Sequence, residues 1–127
     1  MISTRNFSPI TDKKILCTCG HEDCDQRSVS QDVLNMAQSA RDALGFGLIV
    51  TSGGRCPKHP NEIHRSVPAD HQKGQGIDIS ITGATRGNVV RAGLDAGFNA
   101  IGIAQTFVHW GYRHELPDDY TIMWVYK

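Results

Sequence analysis

ADHQKGQGIDISI, residues 69–81, is the stretch on which the fold turns. Its second half, GIDISI (76–81), alternates isoleucine with small or polar residues, the period-two pattern of a β-strand. Asp78 lies between Ile77 and Ile79. A carboxylate in such company is costly to bury unless it is paired, hydrogen-bonded or metal-bound; the plainer alternative is that it faces solvent. The first half of the stretch supplies His71, and Gly74 and Gly76 lie between the two. A turn eased by these glycines brings the loop histidine beside the aspartate at the start of the strand.

Upstream, residues 53–75 form a long polar segment containing Gly53, Gly54, Pro57, Pro60 and Pro68. An irregular loop of that length in a compact domain is usually functional. Before it, GLIVTS (47–52) is apolar and β-branched, and predicts a buried strand. QDVLNMAQSARDAL (31–44) places Val33, Leu34, Ala37, Ala40 and Leu44 on one helical face, with Ser30 as N-cap and Gly45 at the C-terminal end. Residues 1–30 read as irregular, burying little, with Pro9, Gly20, a cysteine cluster and an isolated Val29. Downstream, TRGNVVRAGLDAG (85–97) predicts a second helix, and 100–103, 106–110 and 122–126 predict strands. Late strands following one another without helices between them indicate an α+β fold, a small and mainly antiparallel sheet with flanking helices. The 127 residues suit one domain spanning 1–127, and neither a repeat nor a low-complexity linker interrupts them.

Thirteen basic and thirteen acidic side chains cancel, whereas a protein that tracks phosphate backbones carries a basic surplus; nucleic acid is not the expected partner. No run is long enough to span a bilayer. MISTRNFSPITDKK lacks the apolar stretch of a secretory signal, so the expectation is synthesis in a cytoplasm.

His71, Asp78 and His109 are candidate zinc ligands. His109 sits on a separate predicted strand, between Val108 and Trp110. Two imidazoles and one carboxylate form a suitable zinc set that leaves a fourth position open for water or substrate, the pattern of catalytic rather than structural zinc. Spacing alone does not separate this from a chance His-x6-Asp pair.

Three ordered pieces resemble the zinc D-Ala-D-Ala carboxypeptidase family, which includes VanX- and VanY-type peptidases, phage L-alanyl-D-glutamate endolysins and murein endopeptidases. Ser52, Gly53, Arg55 and His59 match its S-G-Y-R-x-x-x-H-N element. His71, Gly74 and Asp78 match S-x-H-x-x-G-x-A-x-D, and Phe107-Val108-His109 matches the C-terminal histidine element. Arg113, Trp124 and Tyr126 are similar to the ending of members that finish with H-x-D-x-R and an aromatic strand. The resemblance covers about residues 15–127 and implies a hedgehog/DD-peptidase-like fold. It further implies one catalytic zinc on His71, Asp78 and His109, and hydrolysis of a peptide bond in peptidoglycan stem peptides, as a D,D- or L,D-carboxypeptidase or endopeptidase. Zinc in that role polarises the scissile carbonyl and acidifies a water. Arg55 matches the arginine that stabilises the developing oxyanion; by itself it reads equally as a loop brace. A phage-encoded lysin, released by a holin or carried in a virion, is the expectation for such a sequence with neither a secretory signal nor an appended wall-binding domain. Several family positions differ. Thr106 and Phe107 stand where a general base is expected, and neither takes a proton from water near pH 7. Among the other carboxylates, Glu62, Asp70, Glu115, Asp118 and Asp119, spacing selects none. Gly54, Pro60, His64, Arg65, Ala69, Gly76 and Gly111 replace the family's Tyr, Asn, paired Gly, Ser, Ala and Asp. The rival expectation is a catalytically weak zinc-binding module of the same fold, used for binding or virion assembly.

Cys17, Cys19 and Cys24 lie in C-T-C-G-H-E-D-C, and Cys56 follows Arg55. Three states are open to them: a second, structural metal, free thiols, or disulfides. His59 and His64 fall in the long loop as candidate substrate contacts.

Overall fold

A computed structural model describes residues 2–126. Two helices, α1 (Gln31–Leu44) and α2 (Arg86–Asp95), pack on each other beside a five-stranded sheet of β1 (Val50–Ser52), β2 (Gly76–Ser80), β3 (Ala100–Ile103), β4 (Phe107–Gly111) and β5 (Ile122–Val125), and α2 packs on β3 and β4. The strand order is β1-β2-β4-β3-β5. All pairings are antiparallel except β3 with β5. The architecture is the expected α+β fold with a mainly antiparallel sheet.

Helix α1 is bounded as its caps dictate. The Ser30 hydroxyl accepts from the Val33 amide, and Gly45 adopts the left-handed conformation (φ 76°) that closes the helix. Its face of Val33, Leu34, Ala37 and Ala40 is buried, with Leu44 packed at the edge.

Strand alternation sorts the central pair into two faces. Ile77 and Ile79 of β2, with Val108 and Trp110 of β4, point into the core beneath the helices, and none is measurably exposed. The Trp110 indole N–H donates to Val89 O of α2 (3.0 Å). It lies so close to α2 that a Cβ at Gly93 would stand 2.3 Å from the indole nitrogen. The opposite face carries the polar residues of the same strands. There a single cross-strand row runs through all five: Ser52 opposite Asp78, Asp78 opposite His109, His109 opposite Gly102, Gly102 opposite Trp124.

Two expectations change. Strand β1 starts at Val50 rather than residue 47. It is an edge strand with a register irregularity between Val50 and Ser52, and Ile49 is exposed. Of the segment expected to be irregular, residues 2–30 are described and are irregular apart from a 3-10 turn at Lys13–Ile15 and a bridge between Leu16 and Ser28. They do not bury little, however: Phe7, Ile15 and Val29 are core residues, each at most 1% exposed. These residues occur singly, without helical or strand periodicity, so no pattern announces them.

Candidate metal centre

The polar face of the sheet meets the 53–75 loop in a cavity of about 510 Å³. Its wall includes His71, Asp78 and His109, together with Arg55, Asp70, Arg113 and Trp124. His71, Asp78 and His109 are all buried, and one ligand atom from each lies within 4.8 Å of the others. Asp78 Oδ1 is the shared point, 2.8 Å from His109 Nδ1 and 3.3 Å from His71 Nε2. Tetrahedral zinc with bonds of about 2.1 Å separates its ligand atoms by about 3.4 Å, so the three groups are already spaced for the ion.

The second nitrogen of each ring has its own partner. His71 Nδ1 lies 2.7 Å from the Gly53 carbonyl. A carbonyl only accepts, so Nδ1 carries a hydrogen, and Nε2, which faces the Asp78 carboxylate, is the nitrogen free to meet a metal once it carries none. His109 Nε2 lies 2.9 Å from Asp70 Oδ2, so Nδ1, which faces Asp78 Oδ1, is the nitrogen that a metal could meet. A carboxylate or carbonyl behind each imidazole is the arrangement that orients metal-binding histidines and raises their basicity. Asp70 is held in turn by Arg113, whose Nε and Nη2 donate to its two oxygens (2.9 and 3.2 Å). The Arg113 guanidinium also lies over the Trp124 ring, 5.2 Å from its centroid.

The charges are mutually adjusted. Burial acts to raise the Asp78 pKa, but hydrogen bonds with His109 and His71 more than offset it, so its carboxyl is held below the usual range. Asp70 moves the same way, burial being overcome by His109 and Arg113. Burial acts to lower the His109 pKa, and its two carboxylate partners raise it above the ordinary imidazole value.

Glycines make room for this packing. A Cβ at Gly76 would meet His109 Cε1 at 2.6 Å. One at Gly111 would stand 2.9 Å from both Asp70 Oδ2 and His109 Nε2. The family pattern puts an aspartate two residues after the last histidine; here the loop carboxylate of Asp70 reaches the space beside Gly111 instead.

Arg55 lines the cavity and is braced by side chains, not by backbone carbonyls. Its Nε donates to Ser52 Oγ (3.0 Å) and its Nη1 to Glu62 Oε2 (3.2 Å), while Nη2 approaches Asp78 Oδ2 (3.6 Å). Glu62 is fully buried, with Arg65 and Gln72 as further partners. His64 lines the cavity, whereas His59 lines a separate, smaller one and accepts from the Asn61 amide at Nδ1. Glu115, Asp118 and Asp119 are exposed and absent from the cavity wall. Trp110 is core, and Trp124 and Tyr126 are rim aromatics. The residues that sequence reasoning did not single out are Asp70 in its pairing with His109, and Glu62 behind Arg55. Gly111, where the family has a carboxylate, was the available signal for Asp70.

The four cysteines converge as a second group, away from the cavity, with all four sulfurs within 4.8 Å of one another. None forms a disulfide. Burial, the largest cause, pushes the Cys17 thiol up to about 12.

No curated protein matches the chain. The family model for Peptidase M15 matches residues 9–111, which include every member of the constellation just described except Arg113 and the aromatics of the last strand. With most of its length and both histidines and the aspartate of the metal centre inside that match, the chain belongs to the Peptidase M15 family of zinc peptidases.

Proposed function

We propose that this chain is a zinc metallopeptidase that hydrolyses a peptide bond in peptidoglycan stem peptides. The observation that carries the reading is the convergence of His71, Asp78 and His109 at zinc spacing, with Arg55 beside them, in the wall of an open cavity. The donor set fits zinc, because each imidazole turns one nitrogen inward and is tied down at its other nitrogen. Zinc bound there supplies a Lewis acid for the scissile carbonyl and a water acidic enough to attack near neutral pH.

The chain's own residues supply the remainder. Gly53 and Asp70 fix the orientations of His71 and His109. Arg55 is held rigidly at the cavity wall, where its charge meets the oxyanion that develops on the carbonyl. Arg55, Arg65 and Arg113 face the cavity against the carboxylates of Asp70 and Asp78. Three guanidinium groups against two carboxylates leave the wall net positive, and a divalent cation adds to that charge, which suits stem peptides with their free carboxylates. His64, for which no hydrogen-bond partner occurs among the described residues, is left to contact substrate. Thr106 and Phe107 offer no base, and Phe107 packs against Tyr126 with ring centroids 5.2 Å apart. That feature favours the second reading, a zinc-binding module with little activity.

Incubation with purified peptidoglycan separates the two. New amino groups are expected to appear, to vanish with chelator and to return with added zinc. Full zinc occupancy without release supports the module. Mass spectrometry of the products identifies the bond and tells carboxypeptidase from endopeptidase.

Asp70→Ala is expected to weaken zinc binding by about 10–100-fold, since it frees His109 Nε2 and strands Arg113. Competition against a chromogenic chelator measures this, and an unchanged affinity removes Asp70 from the site.

A further inference from the structure

We propose that Cys17, Cys19, Cys24 and Cys56 bind a second zinc ion in a closed tetrahedral site that anchors the Arg55 loop. None of these residues lines the cavity of the peptidase centre. Cys19 Sγ and Cys56 Sγ are 3.6 Å apart, and the whole set lies within 4.8 Å. Four thiolates around one zinc at about 2.3 Å stand about 3.8 Å from one another, so the observed cluster brackets the required geometry. Four soft ligands with no oxygen or nitrogen among them select zinc over magnesium or calcium.

The Gln26 amide donates to Cys24 Sγ (3.4 Å), a contact that a metal-bound thiolate accepts readily. Cys17 and Cys56 are buried and Cys19 and Cys24 partly buried, and four thiolates complete a tetrahedral zinc's coordination with no position left for substrate.

The location explains what the ion does. Two arms of the N-terminal segment are joined at Leu16 and Ser28, and the Cys17 amide donates to Arg27 O (2.9 Å). The 53–56 loop lies directly on these arms, where Gly54 N donates to Ile15 O (2.9 Å). The approach is so close that a Cβ at Gly54 would fall 2.0 Å from Arg27 O. Cys56 is the next residue but one. A zinc there ties the arms to the loop that carries both Arg55 and the Gly53 carbonyl beneath His71. It staples a region whose backbone is otherwise largely irregular.

The test uses the full chain in two forms, native and His71→Ala, the second to empty the peptidase centre. Elemental analysis is expected to find about two zinc ions per chain in the native protein and about one in His71→Ala. That remaining ion is expected to resist dialysis against chelator and to leave when a mercurial titrates the thiols. Cobalt substitution in His71→Ala is expected to give intense sulfur-to-cobalt charge-transfer bands. Cys24→Ser, which alters a partly exposed ligand, is expected to lose that ion and keep the peptidase zinc. If Cys24→Ser does not fold, the cobalt spectrum of His71→Ala still decides. Four thiols reacting freely in zinc-saturated native protein overturn the proposal. So does a disulfide found by mass, an iron-loaded site, or no metal left in His71→Ala. None of these outcomes depends on whether the peptidase centre is active.

Discussion

Asp78→Asn is expected to empty the peptidase centre of zinc and to lower peptidoglycan hydrolysis by about 10³-fold, with the fold retained. The side chain is nearly isosteric, so the packing of β2 against β4 does not change. What changes is charge. Asp78 Oδ1 is the atom on which both imidazoles converge, and Oδ2 faces Arg55. An amide oxygen is a poor zinc ligand, and the remaining pair of histidines is one protein ligand short of a catalytic set. Metal polarisation contributes several kcal/mol of transition-state stabilisation, and about 4 kcal/mol corresponds to about 10³ in rate. Zinc content by elemental analysis and amino-group release from peptidoglycan measure the two halves of the effect. Substantial turnover in a zinc-free Asp78→Asn protein refutes the assignment of this residue as ligand. His71→Ala is expected to behave alike at this centre, which makes it the suitable background for the cysteine experiment.

The elements that could be read in the sequence were those carrying periodic or capping information. Ser30 and Gly45 bound α1 because a hydroxyl N-cap and a left-handed glycine are local devices, complete within a few residues. Asp78 stood out because a carboxylate between two isoleucines contradicts its strand, and the contradiction marked the site. Asp70 was different. Its role rests on contacts with His109 and Arg113, 39 and 43 residues away, and no local pattern encodes such a pairing. The same holds for Phe7 and Ile15, whose burial depends on the chain returning across the core. The cross-strand row from Ser52 to Trp124 belongs to this class too. It requires the register of four strand pairs, and register is a property of the assembled sheet. The row explains why residues far apart in sequence share one site. Ser52 braces Arg55, Asp78 and His109 are candidate ligands, Gly102 leaves space, and Trp124 fills it. A Cβ at Gly102 would stand 2.8 Å from the Trp124 indole nitrogen, so the aromatic reaches His109, 5.5 Å between centroids, only across a glycine.

Arg55→Met is expected to lower kcat by about 10²–10³-fold while zinc content stays near the native value. The guanidinium has two candidate tasks, and the structure shows contacts suited to both. Toward the loop it bonds Ser52 and the buried Glu62; toward the cavity it offers Nη2, 3.6 Å from Asp78 Oδ2. If its task were bracing alone, the loss would appear in stability, because Glu62 would keep only Arg65 and Gln72 as partners. Leaving a buried carboxylate under-satisfied costs about 1–3 kcal/mol. If its task is to meet the oxyanion, the loss appears in kcat beyond any change in KM, because the interaction strengthens only in the transition state. Arg55→Lys sharpens the distinction. It restores a positive charge but not the planar fork that spans Ser52, Glu62 and the cavity at once. Partial recovery of kcat without recovery of thermal stability assigns the charge to catalysis. Recovery of neither kcat nor stability means that the fork geometry carries both tasks. Native kcat in Arg55→Met, accompanied only by a lowered Tm, makes Arg55 a brace for the loop and moves oxyanion stabilisation wholly onto the metal.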